Sequence, residues 1–125
     1  AIALGRHPSL AVVDDKVSLT LQFADGSVAT IHYLANGDKG FPKERIEVFC
    51  GGRILQLDNF RKLIGLGWKN FKAMRLWRQD KGQQACAARF LDAVAGGTKA
   101  PIPFDEIIEV SNATIDVANL LRTQT

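Results

Sequence analysis

The 125-residue chain holds only two cysteines, Cys50 and Cys86, one methionine and four prolines. Two widely separated cysteines make no disulfide framework, and no Cys/His set has metal-ligand spacing. They read as buried thiols of a protein in a reducing cytosol. Long apolar runs are missing as well. None approaches the roughly 20 residues that a membrane-spanning helix requires, so no membrane partner is expected. Glycine-rich phosphate loops are also absent. Gly26, Gly51-Gly52 and Gly96-Gly97 sit at turns, while Gly65-Leu66-Gly67 lacks the third glycine and the helix-opening pattern and reads as a plain loop.

Groups that titrate near neutrality are scarce. His7 and His32 are the two side chains whose ordinary pKa lies near neutrality. His7 precedes Pro8 in an irregular start, where it either belongs to a site completed by residues beyond this chain or is solvated. Asp14 and Asp15 are sequence neighbours, so in a strand they point to opposite faces and do not cooperate. No serine has a neighbouring base at nucleophile spacing. Taken alone, the chain does not look like a complete enzyme. Acid is nearly lacking between Arg61 and Lys81, where Asp80 stands against seven cations and Trp68, Phe71 and Trp77 are interleaved. Such a stretch grips nucleic acid through phosphates and stacked bases, or it keeps a sheet edge soluble. No nucleic-acid recognition signature accompanies it, so no nucleic-acid partner is expected.

What is present is alternation. Val17, Leu19, Leu21 and Phe23 alternate with Ser18, Thr20 and Gln22, and after Ala24-Asp25-Gly26-Ser27 the chain runs back from Val28 to Leu34. Read as a two-residue Asp25-Gly26 turn, this hairpin pairs Phe23 with Val28, Leu21 with Thr30, Leu19 with His32 and Val17 with Leu34. That register makes His32 a core-facing residue and puts Ala29, Ile31 and Tyr33 on a mixed outer face. A second hairpin turns at Gly51-Gly52. It pairs Arg45 with Asp58, Glu47 with Gln56 and Phe49 with Ile54 on one face, leaving Ile46, Val48, Leu55 and Leu57 on the other. The mixed outer faces, with Ile31, Tyr33, Phe49 and Ile54, suggest an oligomer contact.

The second half is helical. Asp80 is placed to cap a helix from Lys81 to Ala95, stopped by Gly96-Gly97. Pro101-Ile102-Pro103 forces an extended link, and a last helix starts at about Phe104. Its first turn holds Asp105 and Glu106 and its last Arg122, as the helix dipole favours. The expected class is therefore α+β: an open, mainly antiparallel sheet with helices packed on one face and the other face available for oligomerisation. Residues 1–15 read as an irregular lead-in from a missing N-terminal region, and 16–125 as the domain.

The stretch Leu19-Thr-Leu-Gln-Phe-Ala-Asp-Gly-Ser-Val-Ala-Thr-Ile-His-Tyr resembles the C-terminal domain of the Gfo/Idh/MocA oxidoreductases, the glucose–fructose oxidoreductase and inositol dehydrogenase family. Further stretches follow in the expected order: Lys43-Glu44-Arg45-Ile46-Glu47-Val48-Phe49, Asp80-Lys81-Gly82, and Phe90-Leu91-Asp92-Ala93-Val94-Ala95-Gly96-Gly97 running into Pro101-Ile102-Pro103-Phe104-Asp105-Glu106. The resemblance implies a substrate-binding and oligomerisation domain of an NAD(P)-dependent enzyme acting on a sugar or cyclitol hydroxyl. The partner would be the chain's own Rossmann domain, which would carry NAD or NADP and the catalytic residues, with no cofactor held here. Lys81, Gln83 and His7 are the substrate-side candidates. Relatives often have histidine where this chain has Gln83. The alternatives are a stand-alone binding or oligomerisation module, and a nucleic-acid-binding domain using residues 61–81.

Overall fold

The computed structural model describes Ile2, Ala3 and residues 16–123. The class is α+β, with open antiparallel sheets and two helices. The strands are β1 (Ile2–Ala3), β2 (Lys16–Gln22), β3 (Val28–Leu34), β4 (Arg45–Cys50), β5 (Arg53–Asp58), β6 (Lys62–Leu66) and β7 (Met74–Arg75), followed by α1 (Gln83–Ala95) and α2 (Phe104–Thr123). They form two sheets, ordered β1-β2-β3 and β4-β5-β6-β7. The chain divides into two compact units, Ala1–Lys39 with Ile102–Thr125, and Gly40–Pro101. Ile2 and Ala3, within the expected irregular lead-in, pair with Ser18 and Val17. No helix among the described residues is long and apolar enough to cross a membrane.

The first hairpin corrects the expected register by one residue. Gln22 pairs with Val28, Leu21 with Ala29, Leu19 with Ile31, Ser18 with His32 and Val17 with Tyr33. The cause is the turn. Gly26 N–H donates to the Phe23 carbonyl at 3.0 Å and Phe23 N–H to the Ser27 carbonyl at 2.9 Å, while Gly26 has φ 85. This is a three-residue loop in which glycine takes the left-handed bulge position, not a two-residue turn. The Asp25 carboxylate braces it by accepting from Ser27 N–H at 2.9 Å. That bond holds the carboxyl below its ordinary value of 3.8. Because side chains alternate with period two, one step of register moves a whole strand to the other face. Ile31 and Tyr33 therefore share a face with Val17, Leu19 and Leu21. His32 leaves the apolar face and lies opposite Ser18, its Nδ1 3.0 Å from the Ser18 Oγ.

The second hairpin has the expected register, from Arg45–Asp58 to Cys50–Arg53. Gly51 and Gly52 have φ 54 and 73, so both central residues are left-handed as a two-residue hairpin turn demands. Gln56 donates to Glu47 at 2.7 Å, and Arg45 lies 3.9 Å from Asp58. Residues 62–66 are a further strand, so Gly65 and Leu66 are sheet rather than loop. Gly65 lies under Phe71: a Cβ there would stand 2.7 Å from the ring. The ring covers the face carrying Leu55, the cross-strand partner of Gly65.

α1 begins two residues later than expected. Its N-cap is Gly82, with φ 74, and Asp80 acts just ahead of it. The helix ends in a double glycine closure. Gly97 N–H donates to the Val94 carbonyl and Thr98 N–H to the Ala93 carbonyl, at 3.3 and 3.0 Å, with Gly97 left-handed at φ 59. α2 starts at Phe104 with Asp105 and Glu106 in its first turn and Arg122 in its last. The extensive contacts of both units are strand on strand. Among the described residues only Val17, Ala93 and Leu121 are buried apolar side chains. Cys50 and Cys86 are exposed, against expectation. Cys50 ends a strand at a hairpin tip, and the neighbouring α1 side chains Phe90, Leu91 and Val94 are exposed too.

Candidate functional site

In the unit Gly40–Pro101, the ladder continues one step beyond Arg45–Asp58, where Asn59 N–H donates to the Glu44 carbonyl at 2.6 Å. The chain then reverses through Asn59 and Phe60, with φ 49 and 51. Asparagine tolerates this conformation, but a bulky aromatic adopts it rarely, and such a non-glycine residue costs roughly 1–3 kcal/mol. Bonds from the segment before α1 secure it. Asp80 N–H donates to the Phe60 carbonyl at 3.2 Å. The Gln79 amide donates to Asn59 Oδ1 at 2.8 Å and to Glu44 Oε2 at 3.3 Å. The Lys81 ammonium forms an ion pair with Glu44 Oε1 and stands 5.9 Å from the Phe60 ring centre.

Glu44 is the hub. Its hydrogen bond from Lys81 is the largest influence holding the carboxyl below its ordinary value of 4.5; the Lys81 charge, Gln79 and Lys43 add to it, and desolvation opposes them. Beside this network lies an open cleft of ≈ 290 Å³, lined by Pro42, Asp58, Asn59, Arg61, Lys62, Arg75 and Leu76. An ammonium, two side-chain amides and a carboxylate offer alternating donors and acceptors. That set suits a ligand rich in hydroxyls, each of which both donates and accepts.

Of the candidate substrate residues, Lys81 joins this network. Gln83 opens α1 and is exposed. His7 lies outside the described residues. Phe49 and Ile54 are cross-strand partners in the second sheet. Ile31 and Tyr33 belong to the other unit, so the four residues form no single patch within either. Sequence reasoning overlooked Asn59, Phe60 and Gln79. The signal available was Asp58-Asn59 between two apolar alternations, a turn composition that tolerates left-handed backbone. The basic stretch also divides: Arg61, Lys62 and Arg75 line the cleft, whereas the Trp68 ring has Arg53 stacked on it, 4.8 Å from the ring centre.

At the start of α1 a carboxylate already stands where a dinucleotide's pyrophosphate would bind. A pyrophosphate needs free N–H groups at a helix start that follows a strand and a glycine turn. Here the Gly82 N–H is already taken by Asp80 Oδ1 at 2.8 Å, and the carboxylate repels a further anion. Comparison with family models, with curated proteins and with solved structures returns no match.

Proposed function

We propose that this chain is the C-terminal substrate-binding and oligomerisation domain of a cytoplasmic NAD(P)-dependent oxidoreductase acting on a sugar or cyclitol hydroxyl. Hydride transfer would occur on a nucleotide-binding domain supplied outside these residues, and the chain alone would be inactive. One observation carries the reading. Lys43-Glu44-Arg45 and Asp80-Lys81-Gly82, two of the stretches behind the family resemblance, meet through the Glu44–Lys81 ion pair although they lie 37 residues apart. The contact puts Lys81, a substrate-side candidate, into one polar network with Glu44, Gln79 and Asn59. The hydroxyl-suited donor set around Lys81 agrees in chemistry. Assembly is supported by apolar side chains left open in both units, among them Ile31 and Tyr33 in one and Phe49 in the other.

The test is the full-length protein encoded with this chain, assayed by nicotinamide absorbance against a panel of sugars and cyclitols. The expected result is turnover with at least one polyol, and a KM raised by Lys81→Met with the chain still folded. Failure to reduce NAD or NADP with any polyol overturns the reading, as does a KM untouched by Lys81→Met.

A further inference from the structure

The outward rows of the second sheet have a charge order that the fold does not explain. Arg45 pairs with Asp58, Asp58 with Lys62, and Lys62 with Arg75. Across β4 to β7 this row reads plus, minus, plus, plus, with all four side chains on one face. Asp58 has cations on both sides, and it lies 3.9 Å from Arg45. Lys62 and Arg75 therefore stand directly opposite each other, an arrangement that destabilises a sheet. Cations on an edge strand keep it soluble, which accounts for Arg75 on β7. It does not account for Lys62, because β6 is an interior strand. Arg61 adds a third cation at the same corner. Its Nε donates to the Leu76 carbonyl at 3.4 Å, which fixes the guanidinium in place.

These three cations and Asp58 line the ≈ 290 Å³ cleft together with Pro42, Asn59 and Leu76. We propose that the cleft is an anion site for the phosphate group of a small phosphorylated ligand. Three cations against one carboxylate match a dianion better than a monoanion. Two guanidiniums provide the forked donors that phosphate oxygens accept. A bound phosphate between Lys62 and Arg75 converts their repulsion into a bridge. The volume is at the low end for small-molecule pockets, so it holds a phosphate and little more, leaving the rest of the ligand to extend along the open side. The site stands on the sheet's own charges and does not depend on the oxidoreductase reading.

The probe is inorganic phosphate, titrated into the 125-residue chain while backbone amide resonances are followed, with sodium chloride at equal ionic strength as reference. Phosphate is expected to shift amides of residues 58–62 and 74–76 saturably and to raise the unfolding midpoint, while chloride does neither. Arg75→Gln and Lys62→Gln should each weaken phosphate binding about tenfold, the loss of one charge-assisted partner. Lys72→Gln, outside the cleft, should leave it unchanged. At low salt without phosphate, Arg75→Gln should unfold at a higher temperature than the wild type, because the like-charge pair is gone while Asp58 keeps both of its cations. Equal effects of phosphate and chloride overturn the proposal, as does equal loss in Lys72→Gln. Tight binding of a thymidine oligonucleotide that depends as much on Lys72 as on Arg75 also overturns it, since the cations would then serve an extended strand. The amide shifts of the wild type decide the matter even if a variant fails to fold.

Discussion

Glu44 and Gly65 show how single residues set the unit Gly40–Pro101. The Glu44 carboxyl is held below its ordinary value of 4.5, chiefly by the hydrogen bond from Lys81. As pH falls, the unfolded chain therefore takes up this proton before the folded chain does. The stabilisation is full above the ordinary glutamate value and is lost as pH drops through the lower folded value. Thermal unfolding of wild type and Glu44→Gln across the acid range checks this: the two should converge at the acid end, with the wild type ahead near neutrality. A Gly65→Ala change acts through space instead. Its Cβ would stand 2.7 to 2.9 Å from three atoms of the Phe71 ring, and Gly65 has no left-handed backbone to complicate the result. Overpacking of this kind costs about 1–3 kcal/mol. In Phe71→Leu the same change should cost less than half as much, by chemical denaturation. Equal costs in the two backgrounds would mean that the ring is not the obstacle.

At the scale of elements, the two hairpins differ in how far their sequences determine them. Gly51-Gly52 permits two consecutive left-handed residues at little steric cost, so a two-residue turn and its register follow from composition. Ala24-Asp25-Gly26 is ambiguous. Its glycine serves equally as the second residue of a two-residue turn or as the bulge of a three-residue loop, and alternation alone fits both. The Asp25–Ser27 bond selects the longer loop. That choice rests on one side-chain-to-backbone hydrogen bond, invisible to a pattern of apolar residues. The α2 boundaries and the Gly96-Gly97 stop were legible because local capping chemistry determines them. The site was legible only at Lys81: Glu44, Asn59 and Gln79 meet it through chain reversals, and no spacing rule brings them together. A double-mutant cycle tests the corrected register. Leu19→Ala with Ile31→Ala should show a coupling of about 0.2–1 kcal/mol, and Leu19→Ala with His32→Ala none, because direct cross-strand neighbours couple and residues on opposite faces do not. The reverse result restores the two-residue turn.

At the largest scale, the decisive fact is how much apolar surface stays exposed among the described residues. Phe49 is 70 % exposed and Val28 64 %, while Ile31 and Tyr33 are 45 % and 60 % exposed. Covering apolar surface yields about 25 cal/mol per Å², so open faces of this kind drive association. The proposed assembly role makes β3 the sharpest place to test it. The corrected register puts Ile31 on the face with Val17, Leu19 and Leu21, and Val28 on the opposite face with Thr30 and His32. Both are exposed β-branched residues of one strand, so the same substitution tests either face with the same change in strand propensity. Aspartate at an apolar contact must be desolvated without a partner, which is costly, whereas on the polar face it stays hydrated. Ile31→Asp should therefore lower the association constant at least tenfold in sedimentation equilibrium, and Val28→Asp should leave it within twofold of wild type, with circular dichroism unchanged in both. Loss in Val28→Asp alone would move the contact to the polar face. A wild type that does not associate at any concentration removes the assembly role altogether.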